Sequence, residues 1–421
     1  MSRLRVYKKA KSRPQQWQDE LTITRLSDDG RGVAKRSGKV VFVERCLPGE
    51  TVIARSYRTN KRFDEAELVA VTESSSQRIG PPCRHYNDCG GCQLQHMDVN
   101  AQREQKSRRF ADMLSRLDGP DPLPPIVGEA FGYRHRIRLA FEKGHVGLKA
   151  ARSHAIVPIP ECLILRPALA EAMNTLYQHS ESFSALFRGE IELVEGQGGE
   201  VACALSLTKK PTAAALSRFL ASFPLPVSLV VAGDEVLRFE EAELLYPDSD
   251  LRFEPSDFTQ VNPDVNRQLL AQVGDWLALT QEDWLLDAFS GLGNFSLALA
   301  AQCGRVLGLE SDVEMVARAR LSAPATVHFE QADLFDPKLS LPEGLNKAVI
   351  DPPRAGASAL CEKLAAMPLQ RIVYVSCDPA TLERDARILM AGGFRLDAAR
   401  WADMFPQTHH MESVLLFSAR D

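Results

Sequence analysis

The 421-residue chain contains no apolar stretch long enough to span a bilayer. The basic stretch at its start, MSRLRVYKKAKSR, has no apolar core behind it, so no secretory signal is read there. A cytoplasmic protein with no membrane partner is expected. There is no internal repeat and no low-complexity tract, and nothing marks an obligate protein partner. Cysteines are few, nine in all, and in a reducing compartment they do not make a disulfide framework. Clustered cysteines therefore raise the question of a metal, and isolated ones that of packing or reactivity. What is present, 45% hydrophobic and 25% charged residues, is the composition of a soluble globular protein, and the length predicts two or three domains.

Charge is unevenly placed. Residues 1–62 hold 16 Lys/Arg against 6 Asp/Glu, a balance of +10 that leaves −15 for the rest of the chain. A basic module on an acidic body favours a polyanionic partner, most simply nucleic acid. From Leu21 to about Val71, strand-like runs (LTITRL, KVVFVE, ETVIARSY, EAELVAV) alternate with Asp-Gly, Ser-Gly and Pro-Gly turns, the pattern of a small all-β barrel. Such barrels with basic loops bind single-stranded or looped nucleic acid. Residues 98–117 carry helical spacing, and GPDPLPP follows as a linker. In YRHRIRLAF, residues 133–141, Arg134, Arg136 and Arg138 share one strand face, either as a grip on phosphates or as a solvated surface.

From about Phe253 helices alternate with buried strands: WLLDAF, RVLGLE, TVHFEQAD, KAVIDPP, RIVYVSCD and SVLLFSA. This predicts a mostly parallel sheet covered on both faces, with ligands beyond the C-terminal strand ends. The first strand leads into Asp287-Ala288-Phe289-Ser290-Gly291-Leu292-Gly293-Asn294-Phe295, whose glycines let the backbone approach a ligand. The second ends at Glu310, placed to accept hydrogen bonds from ribose hydroxyls. A nucleoside-containing cofactor is indicated, although the loop lacks the third glycine of the dinucleotide fingerprint and an NAD enzyme would carry the same acid.

RIVYVSCDPATLERD places Cys377 at the mouth of a buried strand. C5 of uracil is not a nucleophile while the ring is intact; a thiolate added at C6 makes it one, and a base must then remove the C5 proton. Cys377 suits the first role and Glu412, in HHMESVLLF, the second. With DPPRAG, SCDPATLERD and HHMES, the chain resembles the RNA uracil-5 methyltransferase family, and FEPSDFTQVNPDVN (253–266) matches the stretch that carries a cofactor-contacting glutamine. The resemblance covers nearly the whole chain. It implies S-adenosylmethionine as cofactor, with Gln260, Phe289, Asn294, Glu310, Asp333 and Asp351 as its binding residues. Asp351 is open to three roles: orienting the uracil N3–H, contacting the cofactor, or holding the DPPR loop. Phe258 or Phe289 is expected to line the base pocket. Cys46, Cys203, Cys303 and Cys361 are read as packing residues.

PPCRHYNDCGGCQLQH gives Cys83-x5-Cys89-x2-Cys92, and Cys162 in VPIPECLIL is the fourth thiol. Spacing leaves tetrahedral zinc and an iron–sulfur cluster both open, and it argues against a radical S-adenosylmethionine enzyme. The resemblance is to the subgroup that binds a [4Fe-4S] cluster, which implies that these four cysteines ligate one. The N-terminal module resembles a TRAM domain. Both features together imply 23S rRNA as the substrate and one uridine, position 1939, as the target. The same chemistry on tRNA, a non-catalytic RNA-binding protein and a dinucleotide-dependent oxidoreductase are the alternatives. The expected fold is α/β in three parts. Residues 12–71 form a TRAM or OB-like barrel, and 72–252 a central α+β domain with the cysteine cluster and RNA-binding strands. Residues 253–421 form a Rossmann-like S-adenosylmethionine methyltransferase domain, its mostly parallel sheet flanked by helices on both faces.

Overall fold

The structure is a computed structural model that describes residues 16–232, 235–239, 244–247 and 249–420. The basic segment 1–15, including the first residues of the expected N-terminal domain, lies outside the described residues. The chain divides into two compact units, one built from the chain up to Pro81 with Gln93–Ala101, the other from Pro82–Cys92 and Gln102–Asp421.

In the first unit, strands β1 (Gln18–Thr22), β2 (Arg25–Leu26), β3 (Gly32–Arg36), β4 (Lys39–Val43), β5 (Thr51–Thr59) and β6 (Phe63–Glu73) form one mixed sheet in the order β1-β5-β6-β4-β3-β2. The Ser-Gly turn between β3 and β4 places Ser37 at φ 49° and Gly38 at φ 81°, the left-handed pair that joins adjacent antiparallel strands tightly. Ala34, Val41, Val43, Val52, Ala54 and Ala66 form its core. Several of its cations are paired locally: Arg31 with Asp29 and Glu65, Arg36 with Asp19, Lys39 with Asp64, Arg55 with Glu67.

The second unit holds helix α1 (Val99–Arg116) from Gln102 onward, and a central sheet of β7 (Arg136–Glu142), β8 (His145–Lys149), β9 (Ile156–Val157), β10 (Arg188–Glu195), β11 (Val201–Leu207), β12 (Val227–Ala232) and β13 (Glu235–Arg238). Its order is β13-β12-β11-β10-β7-β8-β9. Alternate residues Ile137, Leu139, Phe141, Ile191, Leu193, Leu205 and Leu207 face inward. They pack on α2 (Pro167–Gln178), the 3-10 turn Ser180–Leu186 and α3 (Ala213–Ser222). On the outward face the guanidiniums are not equivalent. Arg136 is only 6% exposed and is held by Glu192, Thr259 and the Asp257 carbonyl, while Arg138 pairs with the same Glu192. A carboxylate one strand over, invisible in a local reading, contacts both guanidiniums, with Arg138 left largely exposed.

After the hairpin β14 (Leu244–Leu245) and β15 (Arg252–Phe253) comes the second sheet of this unit. It contains β16 (Trp284–Ala288), β17 (Arg305–Glu310), β18 (Val327–Gln331), β19 (Lys347–Ile350), β20 (Arg371–Ser376), β21 (Phe394–Ala402) and β22 (Glu412–Ala419) in the order β18-β17-β16-β19-β20-β22-β21. The first five are parallel, and β22 runs antiparallel to β20 and β21. Both faces are buried, as the continuous apolar runs require. Leu286, Ala288, Ile350, Ile372, Tyr374 and Leu415 pack among α1, α7 (Ser358–Ala365) and α8 (Pro379–Ala391). Leu285, Val349, Val373, Val375 and Val414 pack among α4 (Pro263–Leu277), α5 (Asn294–Leu299) and α6 (Val313–Ser322). Among the described residues no helix is long and apolar enough to cross a membrane.

Helix α1 also fixes the segment between β21 and β22. Lys106 donates to Asp403 (2.7 Å) and to the Phe405 carbonyl (3.1 Å), Gln102 to Gln407 (3.0 Å), and Arg109 to the His409 carbonyl (2.9 Å). Lys106 and Asp403 are both almost wholly buried. Breaking one partner of such a pair strands the other charge, so Lys106→Met is expected to lower unfolding free energy by about 3 kcal/mol in urea denaturation. A loss below about 0.5 kcal/mol, the ordinary scatter of surface substitutions, would show that Arg103, 3.3 Å from Asp403, suffices alone.

Candidate active site

The order of the second sheet reverses at β16, with β17 and β18 on one side and β19 and β20 on the other, so the loops after β16 and β19 diverge and leave a crevice. The loop after β16 carries three consecutive alternate residues in left-handed conformations, Phe289 (φ 64°), Gly291 (φ 55°) and Gly293 (φ 97°). Gly293 has a second constraint, since a Cβ there would lie 2.6 Å from the Phe329 ring. Phe289, strained as a non-glycine residue there, faces Phe335 at 5.6 Å between ring centroids.

The expected cofactor residues gather at this edge. Glu310 ends β17; its Oε1 accepts from the Ser311 and Asp312 N–H groups, while Oε2 accepts one bond from Gly291 N–H (3.1 Å) and keeps acceptor capacity. Gln260 donates to Asp351 Oδ2 (3.2 Å), joining the segment before α4 to the loop after β19. Asn294 exchanges hydrogen bonds with Asn266 at 2.9 and 3.1 Å. Asp333 is exposed, and its Oδ1 accepts from Phe335 N–H (2.9 Å). Phe258 is 63% exposed, on the chain two residues from Gln260. Asp287 Oδ1 and Ser290 Oγ are buried with no hydrogen-bond partner among the described residues. Orphaned polar atoms beside a close-approach loop and an acid with spare lone pairs fit a polar ligand.

The antiparallel insertion of β22 brings the two reactive candidates together. Ser376 pairs with Ser413, so Cys377 and Glu412 follow as neighbours across the ladder, at the same edge as the crevice. Pro379 at the first turn of α8 and Asp378 as its cap, accepting from Ala380 and Thr381 N–H (2.9 and 3.1 Å), end the strand where Cys377 stands. Burial, with Glu412 and Asp351 adding negative charge, pushes the Cys377 thiol up to about 12, and Arg354 alone among the named neighbours opposes this. Burial and then Asp351 hold Glu412 well above the usual carboxylate range. Burial and Asp287 lift Asp351 to about 7, against the hydrogen bond from Gln260. Asp287 itself is lifted to about 6 by burial.

Asp287 and Arg354 were quoted in the sequence motifs without a role. Only the fold shows that the first couples to Asp351 and the second to Cys377. The loop presenting Arg354 is clamped from α8. Thr381 donates to the Arg354 carbonyl (3.2 Å), Arg384 to the Ala355 carbonyl (2.9 Å), and Asp385 accepts from Ala357 N–H and the Tyr374 hydroxyl, both at 2.7 Å.

The four clustered cysteines are half-buried in one unit. Burial raises the Cys162 thiol to about 12, with Cys92, Cys89 and Cys83 adding to the rise, and Gly91 N–H donates to Cys89 Sγ (3.3 Å). The thiols thus sense one another, although no group of three or more His, Cys, Asp or Glu among the described residues is arranged to hold a metal ion. Cys46, Cys203, Cys303 and Cys361 lie buried in separate cores.

Comparison with known proteins gives consistent results. The profile of the family described as tRNA (Uracil-5-)-methyltransferase matches residues 233–327 and 342–420. A protein of Chromohalobacter salexigens named 23S rRNA (uracil(1939)-C(5))-methyltransferase RlmD is 39% identical, covering 95% of this chain and 89% of its own length. A protein of Shewanella frigidimarina with the same name is 36% identical over 94% and 95%. The crystal structure of Pyrococcus abyssi tRNA (uracil-54, C5)-methyltransferase in complex with S-adenosyl-L-homocysteine superposes with a TM-score of 0.75 at 25% identity, covering 95% of this chain and all of that one.

The buried carboxyls carry a pH signature. Asp351 titrates higher in the fold than in the unfolded chain, so the stability present while it is protonated is lost as pH rises from about 4 to the raised value near 7. Asp351→Asn removes that cost. Its melting temperature is expected to exceed the parent's at about pH 8 and to match it near pH 4; the reverse order at pH 8 would mean that Asp351 is stabilised as a carboxylate.

Proposed function

From the premise that this chain belongs to the RNA uracil-5 methyltransferase family, we propose that it transfers a methyl group from S-adenosylmethionine to C5 of uridine 1939 in 23S rRNA. The observation that carries the reading is the position of Cys377 and Glu412 just beyond the last β20–β22 pair, Ser376 with Ser413, where the Glu412 charge acts on the Cys377 thiol, beside a loop built for close approach. A dinucleotide-dependent oxidoreductase has no use for that pair, and a passive RNA-binding protein has none for either residue.

S-adenosylmethionine supplies, when bound, an electrophilic methyl group; Gln260, Phe289, Asn294, Glu310, Asp333 and Asp351 are the residues proposed to hold it. Cys377 Sγ, its proton given up to solvent, adds to C6 of the uracil, and the electron pair of the C5–C6 double bond moves toward C5 and O4; C5 would then take the methyl group as that group's bond to sulfur breaks. After methylation Glu412, as carboxylate, takes the C5 proton. The freed pair restores the double bond and expels Cys377 Sγ. Arg354 offsets the carboxylate charge that opposes thiolate formation. Residues 12–71 serve as the TRAM-type RNA-binding module, 72–252 as the central domain with the cysteine cluster and RNA-binding strands, and 253–421 as the catalytic part, in a cytoplasmic enzyme.

Cys83, Cys89, Cys92 and Cys162 are proposed to ligate a [4Fe-4S] cluster, supported by their mutual electrostatic influence and the N–H···S bond at Cys89. No electron transfer enters the methylation, so the cluster acts as a staple between the 83–92 loop and the Cys162 segment. Anaerobically purified protein is expected to carry iron and acid-labile sulfide, with the broad visible absorbance of such clusters, all lost with Cys162→Ser. Zinc in place of iron would replace this assignment.

The catalytic reading is tested by trapping. Incubation with S-adenosylmethionine and an rRNA fragment carrying 5-fluorouridine should give a covalent RNA–protein band on a denaturing gel, because fluorine cannot leave C5 as a proton does. The band should vanish in Cys377→Ala. Bound RNA without an adduct would return Cys377 to a packing role for that RNA, and an adduct formed only with tRNA would move the substrate assignment.

A further inference from the structure

On the central sheet Arg136 and Arg138 both pair with Glu192. The opposite end of β10 carries a different feature. Phe187, between the 3-10 turn and β10, has φ 64° and ψ −71°, the tight γ-turn region that is rare and strained and a genuine outlier for a bulky residue. The strain does not serve core packing. Phe183 and Leu186 before it are buried, but the Phe187 ring is 47% exposed.

Two flexible cations lie over that ring, where an incoming base would displace them toward its phosphates: Lys209 Nζ is 5.4 Å and Lys143 Nζ 6.0 Å from its centroid. Three segments are tied together here. Lys143 N–H donates to the Phe187 carbonyl (2.8 Å), and the Thr208 N–H and hydroxyl donate to the Arg188 carbonyl at 3.2 and 3.1 Å. Arg188 is exposed beside the ring. The carboxylates at this edge, Glu142 and Glu190, line an adjoining recess of about 250 Å³ with Lys149 and His154, and Glu190 is paired with Lys149 at 2.7 Å. A cation-bordered aromatic thus stands out on a body whose residues beyond 62 sum to −15.

We propose that Phe187, Lys143 and Lys209 form a stacking platform for an unpaired base of the RNA, with the two ammonium groups taking the flanking phosphates. Every base has a π-face, so an exposed ring between cations suits single-stranded RNA of any sequence, and backbone strain retained at an exposed side chain is expected where that side chain has work to do. The proposal rests on the RNA-methyltransferase reading. The eight residues of β10 put the platform about 26 Å from Glu195, whose carbonyl holds His135, which in turn bonds the Gln260 carbonyl. The platform therefore acts in capture of RNA, not in chemistry at the target base.

The test measures affinity for a 23S rRNA fragment extending on both sides of the target uridine, by filter binding at several salt concentrations, together with kcat and KM on the same RNA. Glycine adopts φ 64° without strain, so Phe187→Gly should keep or raise Tm while losing about fivefold or more in affinity, raising KM and sparing kcat. Phe187→Trp should retain affinity. Lys143→Gln with Lys209→Gln should flatten the slope of log K against log salt by about 1.4, for two phosphate contacts to a single strand. Unchanged affinity and slope in these variants, with a parent that methylates the fragment, would overturn the platform. A parent that does not methylate, with variants that still lose affinity, would leave the platform standing and remove the catalytic reading.

Discussion

The antiparallel β22 between β20 and β21 is the constraint on which the site depends. A parallel strand in that slot would present its first residue at the opposite edge of the sheet. Reversing one strand lets an N-terminal residue, Glu412, share an edge with the C-terminal residues of its neighbours. Because ladder register is fixed by burial on both faces, with Val414 on one side and Leu415 on the other, the relation of thiol to carboxyl is set by the core. A slip of one residue would turn Glu412 to the other face.

Around that ladder the reactive groups sit on loops that are held from outside the sheet. The segment before β22 is fixed by buried polar contacts from α1, and the loop after β19 by Asp385, Arg384 and Thr381 of α8. Buried pairs of this kind add little net stability. Their value is directional, since each carbonyl or amide they hold removes an alternative conformation of a loop carrying Asp351, Arg354 or Glu412. The His135 ring does the same for Gln260, with both nitrogens on backbone carbonyls.

The second unit's mostly parallel sheet was legible in the sequence because its strands are buried on both faces and read as unbroken apolar runs, and the candidate residues because they stand where those runs stop. Cys377 and Glu412 were found that way, from Val375-Ser376 and Met411 as boundaries. Less legible was whatever depended on a partner far along the chain. The Arg134, Arg136 and Arg138 alternation was real, but Glu192, on β10, decided what two of those charges do. Phe187 carries no signal at all, for a left-handed phenylalanine looks in sequence like any residue before a strand. The coupling among Asp287, Asp351 and Glu412 is likewise tertiary, arising from strands β16, β19 and β22.

Three carboxyl groups in one crevice would ordinarily be a poor reception for a polyanion. Here burial, reinforced by neighbouring charge, lifts Glu412 well above the usual carboxylate range and Asp351 to about 7, so the crevice carries less negative charge at neutral pH than the same acids would in water. The field a phosphate backbone meets on approach is then weaker than a count of acidic residues suggests, and the encounter rate with RNA is correspondingly less penalised. Burying the acids makes the pocket, as seen from the solvent, less negative than its composition.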